Sequence, residues 1–323
     1  MAALLVIKPG LQTTIQDRGR WGFQWLGVPV AGPMDPCSHR LANALVGNDA
    51  SAATLEIMLV GPEVEFEDER LVAVAGAEFL LTLDGRVESG NAAFVAPAGS
   101  RLRFGSRGRG SRSYLAIAGG VAVTPTLGSR STHVISRTGG LDGRALAAGD
   151  RLPLGEVNVV SRRRLVGGPV SVRQLVAGIT ALPDRHARVR VLPGPQRERF
   201  AGEALDALQS APYTITNDSD RMGFRLHGPL LAHKFGADII SDATPLGVLQ
   251  VPSSGQPVLL MADRQTTGGY PKIATVITAD IGIAGQLGPG DTISFEVCSR
   301  RSAMAALIAQ ERALMALELR AES

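Results

Sequence analysis

At 323 residues, 45% of them hydrophobic and 20% charged, the chain is long enough for two domains and too apolar to be disordered. Its apolar runs of four to eight residues are too short to span a bilayer, and its net charge of +3 comes almost wholly from arginines spread without aromatic interleaving, which argues against nucleic-acid binding. Cys37 and Cys298 exclude a disulfide framework, no Cys/His group has zinc spacing, and the start MAALLVIKPG lacks the pattern of a secretory leader, so a metal-free cytoplasmic protein is expected.

The first distinctive stretch is TTIQDRGRWG (13–22), which gathers Thr13, Thr14, Gln16, Asp17, Arg18 and Arg20 around a glycine. DPCSHRLANALVGN follows as a helix, with Asp35 as N-cap, Pro36 in the first turn, Gly47 as stop, and Cys37, Leu41 and Leu45 as its buried stripe. Asn43 lies on this helix. Short strands then recur about every ten residues: LVAVAG (71–76), FLLTLDGRVE (79–88, turning at Asp84-Gly85), AAFVAPAGSRLRF (92–104) and SYLAIAGG (113–120). The basic, proline-containing stretch 155–187 reads as a linker, with SRRRL at 161–165 solvated.

Beyond it the same rhythm returns with RVRVL (188–192), YTIT (213–216), GVLQVP (247–252), PVLLMAD (257–263), ATVITAD (274–280) and TISFEV (292–297). A helix between Pro195 and Ala211 should turn Phe200, Ala204 and Leu208 inward. The C-terminal segment SAMAALIAQERALMALELRA reads as a helix packed through Met304, Ile308, Met315 and Leu319. Histidines are scattered and read as caps or surface residues. The pattern is all-β, sandwich or barrel, rather than a parallel α/β sheet. Two echoes suggest related halves: VPVAG (28–32) with VPSSG (251–255), and GGLDGRALAAGDRL (139–152) with IGIAGQLGPGDTI (281–293).

Phosphate-binding, nucleophile-elbow and biotin-attachment signatures are missing, so no cofactor is expected to bind this chain alone. Chemistry is concentrated in polar loops. NDSDRMGFRL contributes Arg221, VPSSGQP contributes Ser254, and DRQTTGGYPK brings together Asp263, Arg264, Gln265, Thr266, Thr267, Gly268, Gly269, Tyr270 and Lys272. Arg264 offers a fork for a carboxylate, the glycines let backbone N–H groups approach a ligand, and the threonines add hydroxyls. Asp263 is expected either to orient that arginine or to act as a base, and Lys272 to meet negative charge. Such donors suit an oxyanion developing on a carbonyl substrate. An alternative stays open at this point: the same residues would also brace a loop.

Taken together, TTIQDRGRWG, VPVAGPMDPCSHRLANALVGN with LEIMLVGP, GSRSTHVISRTGGLDGRALAAGD, LPGPQRERF, NDSDRMGFRLHGP and VPSSGQPVLLMADRQTTGGYPKIATV resemble the "allophanate hydrolase subunit 2" or KipA/PxpC family. That family is related to the carboxyltransferase domain of urea carboxylase. The resemblance implies a mainly β fold of two cyclophilin-like barrels, at 1–155 and 188–300, joined by a linker at 156–187 and followed by a helix at 301–323. It also implies one of three roles. The first is the C subunit of an ATP-dependent 5-oxoprolinase, using ATP with Mg and acting with a KipI-like B subunit and an A subunit. The second is transfer of a carboxyl group from carboxybiotin to urea, and the third is regulatory binding of a KipI-like kinase inhibitor. No biotin carboxylase, carrier or amidase segment accompanies these residues, which favours the first. All the enzymatic readings handle an N–C=O group, with Asp17, Arg20, Asp263, Arg264 and Lys272 as candidate catalytic residues. Thr14, Gln16, Asn43, Arg221, Ser254 and the 265–270 loop are candidate substrate contacts.

Overall fold

Every residue of the strand Arg70–Gly76, RLVAVAG, is buried. Its side chains alternate between two cores: Val72 and Val74 enter one, while Leu71, Ala73 and Ala75 enter the other. A strand buried on both faces reads as a continuous apolar run, and the alanines leave room for a helix to lie close. This computed structural model describes residues 2–167 and 182–322. The chain forms two compact units, Met1–Arg20 with Ala31–Leu182 and Glu311–Ser323, and Trp21–Val30 with Pro183–Gln310.

In the first unit, six strands run in the order Arg151–Pro153, Ala3–Lys8, Glu63–Phe66, Arg101–Arg107, Phe79–Leu83, Arg86–Glu88. Five more run in the order Gln12–Gln16, Thr54–Met58, Arg112–Ile117, Arg70–Gly76, Ala93–Ala96. Leu4, Val6, Phe66, Leu81 and Leu102 of the first sheet share a core with Ile15, Leu55, Ile57, Leu115 and Ile117 of the second. The other face of the five-stranded sheet packs on the helix Pro36–Val46 and on Leu314 and Leu317 of the C-terminal helix. Asp35 caps the first helix, accepting from Ser38 N at 3.0 Å and Ser38 Oγ at 2.6 Å, and Gly47 ends it at φ 74°. The hairpin turn sits at Asp84-Gly85, both with positive φ.

In the second unit, seven strands close into a barrel: His186–Pro193, Lys272–Val276, Val248–Gln250, Val258–Leu260, Gly223–His227, Tyr213–Ile215 and Thr292–Val297. The first and last pair in parallel and complete the circuit. The fold is thus mainly β with barrel-like sheets, as the strand rhythm implies. One sequence echo has a structural counterpart. Gly149 N donates to Val6 O and Val6 N to Asp150 O, and Gly290 N donates to Ile215 O and Ile215 N to Asp291 O. Each aspartate also accepts from the backbone N–H three residues back, at 2.7 and 2.9 Å.

Two helices differ from expectation. The segment after Pro195 breaks into a 3-10 turn at Arg197–Arg199 and a helix at Ala204–Ser210, although Phe200, Ala204 and Leu208 are buried as expected. The C-terminal helix, Arg300–Glu322, leaves Met304, Ile308 and Met315 exposed at 58%, 44% and 53%. Its seat is fixed instead by Leu314 and Leu317 and by Arg40, which bonds Glu311 and Glu318; the Leu319 side chain lies outside the described residues. Val159–Gly167 is helical, with Ser161 Oγ donating to Val46 O at 2.6 Å. Among the described residues no helix is long and apolar enough to cross a membrane.

The buried cap gives a direct test. Asp35→Ala should lower the unfolding free energy by about 1–2 kcal/mol, read from the denaturant midpoint at unchanged slope.

Candidate functional site

Each unit carries one polar loop cluster. In the first, the strand Gln12–Gln16 delivers Asp17 into a shell of donors. Its Oδ1 accepts from Gly19 N at 2.9 Å, Ser129 Oγ at 2.6 Å and Ser131 Oγ at 2.7 Å, and its Oδ2 accepts from Arg130 N. Burial pushes the Asp17 carboxyl up, but the bonds from Ser129, Arg130, Ser131 and Gly19 outweigh it and hold it below the usual value. Arg20, 1% exposed, donates Nη2 to Ser131 O, and a Cβ on Gly139 would collide with that group. Gln16 Nε2 donates to Thr14 Oγ1 at 3.0 Å and Thr132 O at 3.1 Å. Asn43 is taken up elsewhere: its Nδ2 bonds Ala52 O and its Oδ1 accepts from Asn48.

Sequence reasoning missed half of this cluster, because Ser129, Ser131 and Thr132 lie over 110 residues from Asp17. Of the histidines read as caps or surface residues, two are buried: His39 and His133 are 1% and 4% exposed. His39 Nε2 bonds Gln16 O at 3.2 Å, and its ring meets Tyr114 edge-on. The Tyr114 hydroxyl donates to Glu56 Oε2 at 2.7 Å and accepts from Asp35 N at 2.8 Å.

In the second unit, Asp263 does not orient Arg264. Its carboxylate is held bidentately by Arg221, Nε to Oδ2 at 2.9 Å and Nη2 to Oδ1 at 3.0 Å, with both side chains buried. This removes Asp263 as a free base. Arg264 is 8% exposed, and its Nε and Nη1 donate to the carbonyls of Thr244 and Met261 at 2.8 and 3.4 Å. Burial lowers its pKa to about 10, against the opposing pull of Asp263.

The loop runs on as a short ladder, Asp242 opposite Gly268 and Ala243 opposite Thr267. Gln265 Nε2 donates to Gln250 Oε1 at 3.1 Å, and a Cβ on Gly268 would collide with the Gln250 amide. Ile239 N donates to Gly269 O at 2.9 Å. Lys272, 1% exposed, reaches Asp242 Oδ2 at 2.8 Å. Thr266 is half-buried, Thr267 is exposed, and Tyr270 is 42% exposed. Ser254 is a turn residue whose Oγ accepts from Gln256 N at 3.3 Å. Among the described residues no group of three or more His, Cys, Asp or Glu side chains could hold a metal ion.

Residues 26–297 match the family "carboxyltransferase domain, subdomain A and B". The chain belongs to this carboxyltransferase family. It is similar to the 5-oxoprolinase C subunit of Escherichia coli, at 41% identity over 96% of both chains. The crystal structure of TTHA0988 is 39% identical over 92% of the chain, with a TM-score of 0.76, and the chain spans 55% of that protein. The Kluyveromyces lactis urea amidolyase structure is 30% identical over 98% of the chain with a TM-score of 0.89, and the chain spans 20% of it.

In this carboxyltransferase-family chain, His39 makes the first cluster sensitive to acid. Burial is the main cause that lowers its pKa from 6.5 to about 4, with Asp17 pulling the other way. The folded state therefore prefers the neutral ring. Its contribution is complete above about pH 6.5 and is lost as pH falls toward 4. Unfolding free energy should decline across that window in the wild type, and His39→Gln should flatten the decline; an unchanged slope would contradict the assignment.

Proposed function

We propose that the chain is the C subunit of an ATP-dependent 5-oxoprolinase, opening the lactam of 5-oxoproline to glutamate with a KipI-like B subunit and an A subunit in the cytoplasm. The observation that carries this reading is the 41% identity to a 5-oxoprolinase C subunit along nearly the full length of both chains. The urea amidolyase likeness covers only a fifth of that larger protein. A protein named as a subunit works within an assembly, and ATP with Mg is assigned to that assembly, not to a loop of this chain.

Opening the ring breaks the amide C–N bond and adds water, leaving a carboxylate and an amine. Negative charge gathers on the carbonyl oxygen on the way, and the substrate carries a carboxylate throughout. Arg264 suits the carboxylate. It is a buried cation whose guanidinium hydrogen-bonds backbone carbonyls, while the carboxylate of neighbouring Asp263 is hydrogen-bonded by Arg221. An anionic ligand would relieve that cost. The Thr266 and Thr267 hydroxyls, two and three residues on in the same loop, offer donors to the carbonyl. Asp17 and Asp263 serve as positioning residues that hold the loops. Arg20, whose Nη2 is donated to Ser131 O, and Lys272, ion-paired with Asp242, support the loops beside them.

The test is 5-oxoproline hydrolysis by this chain mixed with its B and A partners, with and without ATP. Turnover should require the full mixture and ATP. Thr267→Val and Arg264→Lys should each reduce it by roughly a hundredfold while thermal stability stays near that of the wild type. Turnover of urea with a biotin carrier, and none of 5-oxoproline, would favour the carboxyltransferase reading instead. A loss of stability of a kcal/mol or more with normal turnover per folded molecule would make the loop a brace.

A further inference from the structure

Two strands of the barrel in the second unit alternate buried and outward residues. In His186–Pro193, Ala187, Val189 and Val191 are buried while His186 and Arg188 are exposed; in Thr292–Val297, Ile293 and Phe295 are buried while Ser294 and Glu296 are not. The strands pair in parallel, with Arg188 opposite Ser294, so these outward groups share one face. That face and the end of the helix Ala204–Ser210, running on into Ala211-Pro212, line an open hollow of about 410 Å³. Its size falls in the range of small-molecule sites, roughly 300–1,000 Å³. None of residues 263–272 lines it, so it is separate from the loop of Arg264.

The walls of the hollow are tied down, whereas its charges are loosely held. Gln209 Oε1 accepts from Val297 N at 2.9 Å and its Nε2 donates to Leu205 O at 3.0 Å, which joins the helix end to the strand. Ser210 Oγ donates to Ala207 O at 2.8 Å, and His186 Nδ1 lies 2.8 Å from Thr292 Oγ1. Arg190, two residues beyond Arg188, is held by Asp280 at 2.6 and 2.9 Å. Arg188 itself reaches Glu296 at only 4.0 Å, too far for a hydrogen bond, and both side chains are largely exposed. Such a pair adds little stability by itself. It sets a guanidinium and a carboxylate side by side on the wall of a hollow, each able to take a closer partner.

We infer that this hollow binds a free α-amino acid with an apolar side chain. The ligand carboxylate accepts from the Arg188 fork, and the ligand ammonium donates to the Glu296 carboxylate. Because the two protein charges lie 4.0 Å apart, the ligand's opposite charges have to sit on one carbon. An ω-amino acid, whose charges lie farther apart, bridges the pair poorly. Ala211 and Pro212 are exposed apolar residues of the lining and suit the ligand side chain. An occupied site links Arg188 and Glu296 across the parallel strand pair that closes the barrel, so binding stabilises that closure. The inference does not rest on the 5-oxoprolinase reading, and failure of partner-dependent turnover would leave it untouched.

The experiment titrates the full chain with L-leucine, read by saturation-transfer NMR and by the thermal midpoint. Binding should be saturable, with a Kd on the order of 1 mM because both protein charges keep contact with water, and should raise the midpoint. Two analogues each remove one charge: 4-methylpentanoate lacks the ammonium and 3-methylbutylamine lacks the carboxylate. Each should bind about tenfold more weakly than leucine, as should 6-aminohexanoate. Arg188→Gln and Glu296→Gln should each weaken leucine binding by a similar factor, and the exchange Arg188→Glu with Glu296→Arg should recover part of it. Melting curves establish that the variants are folded; if one is not, the analogue contrast on the wild-type chain decides alone. Either single-charge analogue binding as tightly as leucine, unchanged leucine binding in a folded variant, or no saturable signal would overturn the proposal and leave a solvent-filled groove beside a surface ion pair.

Discussion

A carboxylate removed from water has to be surrounded by donors or paired with a cation, and both polar loops of this protein are organised around meeting that demand. Asp17 meets it with two serine hydroxyls and two backbone N–H groups, drawing the segment around Ser129–Ser131 onto the end of the strand Gln12–Gln16. Asp263 meets it with a single bidentate guanidinium from Arg221. Asp263 thereby joins the loop after the strand Val258–Leu260 to the segment preceding the strand Gly223–His227. The loops are dense in polar side chains because each carries its own hydrogen-bonded framework around a buried carboxylate.

Asp263 and Arg221 are consumed by one another and Asp17 by serine hydroxyls and backbone N–H groups, and the depressed pKa of Asp17 follows from hydrogen bonds that a catalytic base would lack. Arg264 stands in the opposite condition. Its neighbour in sequence is an aspartate, yet that carboxylate points its lone pairs at a different arginine, and the Arg264 guanidinium settles on two carbonyls. Burial lowers its pKa, and no side-chain carboxylate hydrogen-bonds it among the described residues.

Much of the scaffold could be read from local chemistry. The helix at Pro36–Val46 begins and ends where its Asp-Pro and Gly signals put it, and the alternation in RLVAVAG separates two cores side chain by side chain. Even the faint echo of Gly149-Asp150 in Gly290-Asp291 marks matching backbone turns. What could not be read is long-range. Nothing near Asp263 says that its partner lies 42 residues upstream when an arginine sits beside it. Nothing near Gln16 points to Thr132, whose hydroxyl-rich run looks like an ordinary loop. The C-terminal helix buries Leu314 and Leu317 rather than Met304, Ile308 and Met315, and Arg40, on another helix, bonds its Glu311 and Glu318.

The framework role of the buried pair is tested most directly by a double-mutant cycle between Arg221→Met and Asp263→Leu, read as unfolding free energy in denaturant. Each single substitution strands a buried charge and should cost about 3–5 kcal/mol, whereas the double substitution removes both charges and should cost far less than their sum. Additive losses, or single losses below about 1 kcal/mol, would contradict the view that this pair fixes the loop that carries Arg264.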